Sequence, residues 1–338
     1  MRKLLERTAA LGLCLLSAVS AQAQTNWSEL TDQAREEGSL VVYHSQLGAE
    51  HFIDFVKTFE EETGIKVELL DGRASETAER VRSESASGKG KGDLLITSDA
   101  VLMGLEAEEL LQPHGDLPNL ANLREGFVPT DNSIPVFVQS YGILVNTDQV
   151  APEDYPKEWT DLLDPKWKGQ IISNDPRAIG VGLASLGPLY ETYGSDFLEG
   201  LAKQDITFSR NIRLEERRVA QGEFAINLAQ VFSFAISEYE GLPVTLVVPG
   251  PSVPYTPMSA AVLRDADHVA AAKLFLNAYL SDQAQLLYAN VGLIPVVEGV
   301  VEQADPEVRD FVGVDLMGWI GPENRGPAVA EMKRVFGE

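Results

Sequence analysis

The chain has little of the chemistry that metal sites and disulfide scaffolds require. Its 338 residues include one cysteine, Cys14, and four histidines. A single cysteine excludes a disulfide within the chain. The histidines are His44, His51, His114 and His268, and no two of them have the i,i+4 spacing of metal ligands on one helix. We therefore expect no zinc site, no other bound metal and no thiolate chemistry.

Sequence motifs for catalysis and for nucleotide binding are also missing. There is no G-x-S-x-G nucleophile elbow, no P-loop, and no G-x-G-x-x-G that opens a helix after the first strand. The 51 acidic residues leave a pair of catalytic carboxylates open, but nothing in the sequence places one. We expect no enzymatic activity and no cofactor.

Positive charge is scarce. The formal net charge is −24 at pH 7, which argues against nucleic acid or an anionic membrane surface as a partner. It does not exclude an anionic ligand, because salt screens distant charges within about 8 Å at physiological ionic strength. A local basic pocket can therefore outweigh the rest of the surface.

The amino terminus has the pattern of a removable export signal, which we assign to residues 1–23. A basic start precedes an apolar stretch over residues 9–19 and small residues at 21–23. We expect the mature protein to begin near Gln24. No later run of about 18 apolar residues follows, so we expect it to be soluble in the periplasm. Cys14 lies inside the signal and lacks the small residue that a lipoprotein acceptor cysteine needs before it, so we expect no lipid anchor.

The first part of the mature chain reads as a strand, a polar turn, a helix and a second strand. A nearly continuous apolar run over residues 40–43 predicts a strand covered on both faces. Phenylalanines and a valine recur at helical spacing over residues 52–59, and alternation over residues 65–69 predicts the second strand. Open α/β sheets bind ligands in loops at the carboxyl ends of such strands, so Ser45 and Gln46 are candidate ligand contacts.

The same arrangement recurs twice further along the chain. Ser98 and Asp99 follow an apolar strand at residues 93–97, and Asp175 and Arg177 follow another predicted strand. Helix amino termini with free N–H groups and nearby hydroxyls suit oxyanions. The alternative is that Ser45 and Ser98 only cap helices and that Arg177 lies on the surface.

A group of arginines stands out in this acidic chain. Arg210, Asn211 and Arg213 share one loop, and Arg73 likewise lies between a predicted strand and a helix. Exposed arginine is common, but clustered arginines indicate an anion or a partner.

Strands and helices alternate along most of the length, which favours an α/β fold with largely parallel sheets. The predicted helices include one that follows Ser98 and Asp99 and runs through Leu111, and one over residues 188–203. The long apolar segment at residues 134–146 can carry the chain from one lobe to another, and a Pro-rich return follows at residues 249–257. Tyr141 and Tyr255 lie in these two candidate crossovers. Each can either pack at a hinge or stack on a ligand.

Seven segments are spread along most of the mature chain: LVVYHSQ, FEEETGIKVELLDGRASE, GDLLITSDAVLMGLEAEELLQP, YGILVNTDQV, DPKWKGQIISNDPR, VAQGEFAI and AAKLFLNAYLSDQAQLLYANVGLIPV. In these segments the chain resembles the periplasmic solute-binding proteins of ABC importers, in their ferric-iron-binding-like branch. The resemblance implies a two-lobed periplasmic-binding-protein fold of type II. Each lobe would be a mostly parallel sheet flanked by helices, and the ligand would bind in the cleft between the lobes.

The resemblance also implies how the chain is divided and what it works with. The N-terminal lobe would comprise residues 24–135 and 256–300, and the C-terminal lobe residues 136–255 and 301–338. The protein would be a monomer that closes on a small-molecule ligand and passes it to an inner-membrane ABC permease and its ATPase. It would carry out no catalysis and bind no nucleic acid.

The ligand is less well fixed by the resemblance than the fold. Ferric members of this branch carry a Tyr-Tyr pair whose positions fall here on Phe232 and Ser233, and Tyr239 is too far along to replace it. Serine hydroxyls, helix amino termini and arginine suit a carboxylate, phosphonate or phosphate ester better. We therefore expect a small organic anion or zwitterion. The candidate contacts are Ser45, Gln46, Ser98, Asp99, Tyr141, Asp175, Arg177, Asn211, Gln230, Ser233 and Tyr255.

Three alternatives stay open at this point. The protein could be a ferric receptor in which a bound anion supplies the missing ligands. It could be an exported hydrolase with a dispersed carboxylate or serine site. It could also be a receptor that feeds a sensor and not a permease.

Overall fold

The structure is a computed structural model that describes residues 27–45, 49–234 and 241–337. The expected signal at residues 1–23 and the candidate contact Gln46 lie outside the described residues. Among the described residues, none of the helices combines the length and the apolar character needed to span a bilayer.

The described chain alternates strands with helices, as the sequence predicts. The strands are β1 (Ser39–His44), β2 (Lys66–Asp71), β3 (Leu94–Ser98), β4 (Leu111–Gln112), β5 (Ile134–Asn146), β6 (Ile171–Asn174), β7 (Thr207–Ser209), β8 (Ile226–Val231), β9 (Val244–Val247), β10 (Ser252–Leu263), β11 (Ile294–Pro295) and β12 (Asp315–Gly318). The α-helices are Glu50–Thr63, Ala74–Ser87, Asp99–Ala107, Val181–Tyr193, Ser195–Ala202, Ile212–Ala220, Val269–Tyr279, Asp282–Ala289, Pro306–Val312 and Pro322–Phe336, with further helical residues at 27–37 and 232–234. Short 3-10 turns occupy Pro118–Asn122, Pro152–Asp154, Trp159–Leu163, Pro165–Trp167 and Val301–Gln303.

Each half of the molecule contains a small parallel sheet. In the first half β1 lies between β2 and β3 and is parallel to both. In the second half β6 lies between β7 and β8 and is parallel to both. The carboxyl ends of these strands, and the helices that follow them, are thereby placed where a ligand site can form.

Two long strands join the halves. β5 pairs antiparallel with β10 along its first part and with β8 along its second part. β10 also pairs antiparallel with β3. The predicted crossover at residues 134–146 is thus confirmed, with the bounds that its apolar run indicates.

The buried residues form two main hydrophobic cores. The first combines residues 34–138 with residues 258–312, and its aromatic centre joins Phe55 to Phe275 at 5.1 Å between ring centroids. The second draws mostly on residues 143–232, with later contributions such as Ile320. Ala304, Val308 and Val312 come from the segment expected in the second lobe, yet they pack in the first core.

Local details differ from the sequence prediction at three places. The helix after Ser98 ends at Ala107 and not at Leu111, because Leu111 pairs with Leu263 of β10. A helix predicted over residues 188–203 is two helices, Val181–Tyr193 and Ser195–Ala202, separated at Gly194.

The third difference is in the Pro-rich return, where β10 already begins at Ser252. Pro254 and Pro257 are tolerated because the ladder is irregular close to each: its register shifts at Val253/Pro254 and again at Met258/Ser259. A strand can accept proline where a regular ladder hydrogen bond is absent.

Candidate functional site

A cleft of about 730 Å³ opens between the two halves. From the first half and the crossover strands it is lined by Ser45, Ala49, His51, Arg73, Phe137, Gln139, Met258 and Leu293. From the second half it is lined by Asn174, Asp175, Ala178, Ile179, Gly180, Val181, Arg210, Asn211, Ile212, Arg213, Ser233 and Phe234. A volume of this order accommodates a small organic molecule.

Four helices point their amino termini at this cleft. Ala49, Arg73, Gly180 and Asn211 are the residues that precede these helices, and all four line the cleft. No side-chain cap is present for the helix that follows Ala49, whereas in the helix that follows Gly180 the N–H of Gly182 donates to Asn174 Oδ1. Unpaired N–H groups and the positive end of the helix dipole at such positions attract anions.

The charged side chains of the cleft are mostly basic. Of the described lining residues, Arg73, Arg210 and Arg213 are arginines and Asp175 alone is a carboxylate. The lining is therefore positive in a chain whose formal net charge is −24. This local excess of positive charge is the arrangement that an anionic ligand requires.

Asp175 is held by arginines and contributes little free negative charge. Burial alone would raise the pKa of this carboxyl, but hydrogen bonds from Arg177 outweigh burial and hold it below its usual value. Arg177 Nε lies 2.8 Å from Asp175 Oδ1, and Arg210 Nε lies 3.5 Å from Oδ2. Arg177 also lies over the ring of Phe208. Its effect on the cleft is therefore indirect, through the hydrogen bonds that it donates to Asp175.

Arg213 is positioned from two sides. Its guanidinium carbon lies 4.2 Å from the ring centroid of Phe234, a distance typical of cation–π contact. Its Nη1 lies 3.5 Å from Oε2 of Glu216, which is buried. Gln230 Nε2 donates to the other oxygen of Glu216 at 2.9 Å. Gln230 therefore lies behind the cleft, where it orients the partner of Arg213.

Asn174 connects the end of β6 to a helix amino terminus. Its Oδ1 accepts a hydrogen bond from the N–H of Gly182 at 3.1 Å, and its Nδ2 donates to Glu215 Oε1 at 3.0 Å. Burial raises the pKa of Glu215 despite the opposing hydrogen bond from Asn174. This network fixes the start of the helix Val181–Tyr193 against the sheet.

His51 is the histidine among the described lining residues. Burial lowers its pKa to about 4, against the opposing effect of Asp54, so the imidazole is neutral at pH 7. Its ring meets the ring of Tyr288 edge to face at 4.6 Å. Its Nε2 is buried and has no hydrogen-bond partner among the described residues.

The structure brings four of the predicted contacts together in the cleft: Ser45, Asp175, Asn211 and Ser233. Ser45 Oγ donates to Thr97 Oγ1 at 3.1 Å. Asn211 Oδ1 accepts from the N–H of Leu214 at 3.1 Å, as a helix cap does.

The other described candidates lie outside the cleft lining. Ser98 directly precedes the helix Asp99–Ala107, and Asp99 Oδ1 accepts from Ser259 Oγ at 3.0 Å. Burial raises the pKa of Asp99 although this hydrogen bond opposes it. Tyr141 is buried between the crossover strands, and Tyr255 lines a separate, smaller pocket together with Trp319. Arg177 and Gln230 stand behind Asp175 and Arg213, as described above.

Several lining residues were not among the predicted contacts. The sequence did single out Arg73, Arg210 and Arg213, because Arg210 and Arg213 are clustered in an acidic chain and Arg73 lies between a predicted strand and a helix. Asn174 carried the same positional signal as its neighbour Asp175. The sequence did not identify His51 as a lining residue, because nothing in the pattern distinguishes it from the other residues at the start of the predicted helix.

The positions that carry tyrosines in ferric relatives differ here in their surroundings. Phe232 is fully buried, with its ring 6.2 Å from that of Phe311, whereas Ser233 lines the cleft. Tyr239 lies outside the described residues. Within the part of the chain that the structure describes, no three His, Asp or Glu side chains are grouped as metal ligands.

Comparison with known proteins gives consistent matches. Residues 90–316 match the model of a family described as bacterial extracellular solute-binding protein. An uncharacterized protein of Haemophilus influenzae is 26% identical over 316 residues, which are 88% of this chain and 90% of that protein.

Solved structures match over nearly their whole length. Iron-bound HitA from Pseudomonas aeruginosa aligns with a TM-score of 0.69 at 23% identity, covering 88% of this chain and 99% of HitA. The periplasmic binding protein AfuA from Actinobacillus pleuropneumoniae, solved with fructose-6-phosphate, aligns with a TM-score of 0.65 at 23% identity and covers 88% of this chain and 96% of AfuA. These likenesses confirm the predicted two-lobed type II fold.

Proposed function

The chain belongs to the family of bacterial extracellular solute-binding proteins, and we propose that it captures a small organic anion for an ABC importer. The ligand carries a carboxylate, phosphonate or phosphate ester group, with or without an amino group. The observation that supports this most is the convergence of four helix amino termini and three arginines on one cleft, whose described lining residues include a single carboxylate. Oxyanions are what such a set of donors binds.

The remaining walls of the cleft fit the organic part of the ligand. Phe137, Met258 and Leu293 offer apolar surface from the first half, and Ile179 and Phe234 offer it from the second. Such walls favour a carbon skeleton over a bare inorganic ion. An amino group on the ligand would meet Asp175, although Arg177 already neutralises much of that charge.

The two halves supply complementary parts of the anion site. Arg73 comes from the first half and Arg210 and Arg213 from the second. An anion bound by both sides favours the closed arrangement by the difference between its affinities for the closed and open states. We infer that the lobes close on the ligand by bending at β5 and β10, as hinge proteins do. The moving units are the lobes expected from the sequence, with the boundary near residue 300 shifted so that residues 304–312 move with the first core.

The partners follow from the family. Its members are non-enzymatic solute-binding proteins that bind small ligands and work with an ABC permease and an ATPase. We propose that this protein does so as a periplasmic monomer, without catalysis and without binding nucleic acid.

A thermal-shift screen of the purified protein tests the proposal. The panel contains dicarboxylates, phosphonates, sugar phosphates, polyamines, ferric citrate and ferric ion alone. A specific ligand present at 100 times its dissociation constant stabilises the protein by about 2.7 kcal/mol, which is a clear shift in melting temperature. We expect shifts with one group of organic anions.

Substitutions of the cleft arginines distinguish a thermal shift caused by specific binding from one caused by a general effect of salt. Arg73→Gln and Arg210→Gln are expected to reduce the shift produced by the best anion. Arg82→Gln, on the helix that Arg73 precedes but paired with Glu108 on the surface, is the matched control and is expected to keep it. A shift with ferric ion alone, accompanied by a visible tyrosinate-to-iron absorption band, would overturn the proposal in favour of a ferric receptor.

A further inference from the structure

A second cavity, which we call the side pocket, adjoins the cleft between the two halves. Its volume is about 40 Å³, and its lining includes Ala100, Leu183, Tyr255, Trp319 and Arg325. Ile179 and Gly180 line both the side pocket and the cleft. Because glycine has no side chain, both cavities reach the same few backbone atoms, and they are therefore direct neighbours.

Arg325 is the basic residue in the described lining of the side pocket, and it has no protein partner there. It belongs to the helix Pro322–Phe336 and is half-buried. Among the described residues it forms no hydrogen bond and no ion pair, whereas Arg177 and Arg218, which are also half-buried, each hold a carboxylate. Burial lowers the pKa of Arg325 although Glu323 opposes this effect. A guanidinium that is partly removed from water without a partner is costly, so Arg325 lacks a counter-charge that a ligand can supply.

Two aromatic residues of the side pocket carry further hydrogen-bond donors. The Tyr255 hydroxyl and the Trp319 indole N–H have no hydrogen-bond partner among the described residues. Neither of these atoms, and none of the Arg325 nitrogens, is a fully buried unpartnered atom, so all of them remain in contact with solvent. The hydroxyl of Thr256, which also lines the side pocket, is already bonded to that of Tyr141. The unused polar groups of the lining are therefore accessible donors.

This set of donors selects the chemistry of an occupant. A guanidinium and an indole N–H donate hydrogen bonds and cannot accept them, and a phenol can donate. An ammonium group also only donates, and the guanidinium would repel it. A carboxylate accepts at both oxygens and pairs with arginine in a planar geometry.

The size of the side pocket agrees with this chemistry. A site needs about 10–15 Å³ of free space to hold one water molecule. The 40 Å³ of the side pocket therefore hold about three atoms of that size, which is the number in a carboxylate group.

Two carboxyl groups oppose an anion at this place without lining the side pocket. Burial and, to a smaller extent, Asp99 raise the pKa of Tyr255, and Glu323 acts on Arg325. Asp99 is itself engaged by the hydroxyl of Ser259. These charges limit the affinity that the side pocket adds, but they leave Arg325 as the charged group that an occupant meets directly.

We propose that the side pocket binds a second acidic group of the captured ligand, so that the ligand class is a short-chain dianion with an acid at each end. A dicarboxylate and a phosphonocarboxylate are members of this class. This inference rests on the proposed function. One acid is held by the cleft arginines, and the carboxylate at the other end accepts hydrogen bonds from Arg325, with Tyr255 and Trp319 beside it.

One helix sets the spacing of the two acids. The amino terminus of the helix Val181–Tyr193 faces the cleft, while Leu183 and Ala184 in its first turn line the side pocket. Four residues along a helix rise by about 6 Å, so a chain of a few carbons connects the two acids.

Pairs of probes that differ in the second acid test the proposal. The pairs are glutarate with valerate, adipate with hexanoate, and phosphonopropionate with propylphosphonate, and titration calorimetry at constant ionic strength measures their affinities. We expect the dianion of at least one pair to bind about tenfold more tightly than its partner, as for one charge-assisted hydrogen bond. Gamma-aminobutyrate, which carries an ammonium group in place of the second carboxylate of glutarate, is expected to bind no better than valerate.

Variants of one helix assign the difference to Arg325. Arg325→Gln is expected to reduce the affinity ratio of the pair to about one. Arg334→Gln is the matched control, because Arg334 lies on the same helix but pairs with Glu331 and Glu199 at the surface. It is expected to keep the tenfold ratio.

Fluorescence gives a readout that a purely structural role of Arg325 would not change. The dianion should alter the emission of Trp319 and its monoanionic partner should not. The signal of Trp319 is identified as the part of the emission that disappears in Trp319→Phe, a variant that keeps an aromatic ring in the side pocket.

The outcomes separate this inference from the proposed function. If no dianion binds more tightly than its partner while any anion binds, if Arg325→Gln keeps the preference, or if gamma-aminobutyrate binds more tightly than glutarate, the side pocket is not an acid site and anion capture stands. If none of these probes and no anion of the thermal-shift panel binds, anion capture fails and the inference falls with it.

Discussion

Arg177 holds the carboxylate of Asp175 from the side with two contacts, Nε to Oδ1 at 2.8 Å and Nη2 to Oδ2 at 3.2 Å. The arrangement is that of a bidentate arginine–carboxylate pair, the most specific form of this interaction. Asp175 lines the cleft whereas Arg177 does not. An arginine outside the cleft thus sets how much negative charge the ligand meets inside it.

Removal of this arginine should weaken anion binding without touching the ligand. In Arg177→Gln the carboxylate of Asp175 loses its partner arginine. Its negative charge then competes with the ligand for Arg210. We expect affinity for the best anion to fall about three- to tenfold, as for a charge-assisted hydrogen bond lost indirectly. Titration calorimetry measures it.

The double variant identifies the route. Asp175→Asn removes the charge that Arg177 neutralises, so adding Arg177→Gln to it should have little further effect. Equal losses with and without Asp175 would show that Arg177 acts by another path.

The pair of Asp175 and Arg177 makes the free energy of unfolding depend on pH under acidic conditions. The pKa of Asp175 is lower in the folded state than its unfolded value of about 3.9. Its contribution to the free energy of unfolding is therefore complete above about pH 4 and is lost as the pH falls through the folded-state pKa. Urea unfolding between about pH 3 and pH 6 should show a smaller decline for Asp175→Asn than for the wild type. An unchanged decline would mean that other carboxylates determine the acid limit.

Arg213 should contribute directly to the affinity. Its guanidinium is held by Phe234 and Glu216 and faces the cleft. We expect Arg213→Gln to weaken binding of the best anion about tenfold, the value of roughly 1.4 kcal/mol that a hydrogen bond to a charged group provides. Arg217→Gln, an exposed arginine on the same helix that does not line the cleft, is the matched control. Equal losses in both variants would indicate long-range charge and not contact.

Two glycines near the amino terminus of one helix should differ in how well they tolerate substitution by alanine. A Cβ on Gly182 would lie 2.3 Å from the carbonyl oxygen of Asn174, whereas the nearest atom to a Cβ on Gly180 is 3.8 Å away. Gly182→Ala must therefore push the helix away from β6 and break the bond from Gly182 N–H to Asn174 Oδ1. We expect it to lower the melting temperature and to abolish the shift with anion.

Gly180→Ala has ordinary contacts and extended backbone, with φ at 164°. It should fold with a melting temperature close to that of the wild type. Comparable destabilisation by both substitutions would contradict the packing described here.

The crossover strands are tied by a buried hydroxyl. Tyr141 OH lies 2.7 Å from Thr256 Oγ1 and receives a hydrogen bond from Gln139 Nε2 at 3.0 Å. Tyr141→Phe leaves both partners without it, and we expect a loss of about 1 kcal/mol in the free energy of unfolding. Tyr193→Phe, where the ring packs on Phe197, is the control. Chemical unfolding measures both, and a loss in Tyr193→Phe as large as in Tyr141→Phe would show that the hydroxyl at the crossover has no special role.

The sequence predicts most of the architecture because hydrophobic periodicity is a local property. The run at residues 40–43 and the helical spacing at residues 52–59 correspond to β1 and the helix Glu50–Thr63. The helix stops at Gly64, whose φ of 78° suits glycine. The early start of β10 was missed because prolines are read as breakers, and only the irregular ladder makes them acceptable.

The site is harder to predict because it depends on whether a side chain points into the cleft or toward another part of the protein. Ser45 and Asp175 were predicted as contacts because each follows a strand, and both line the cleft. Ser98 and Asp99 follow a strand in the same way but do not line the cleft. Tyr141 and Arg177 show the same difficulty: each lies near the cleft, and each turns its polar group to a protein partner. Orientation of this kind is set by tertiary contacts that periodicity does not encode.

The interleaving of the chain also has a kinetic consequence. The first core joins Phe55 to Phe275, so its aromatic centre cannot assemble until most of the polypeptide is available. The second core draws mostly on residues 143–232 but is completed by Ile320, Ala328 and Met332 near the end of the chain. Non-local contacts slow folding because a long loop must be closed before they form. Each core is completed by residues from the carboxyl-terminal part of the chain, so neither wall of the cleft should be complete until synthesis is nearly finished.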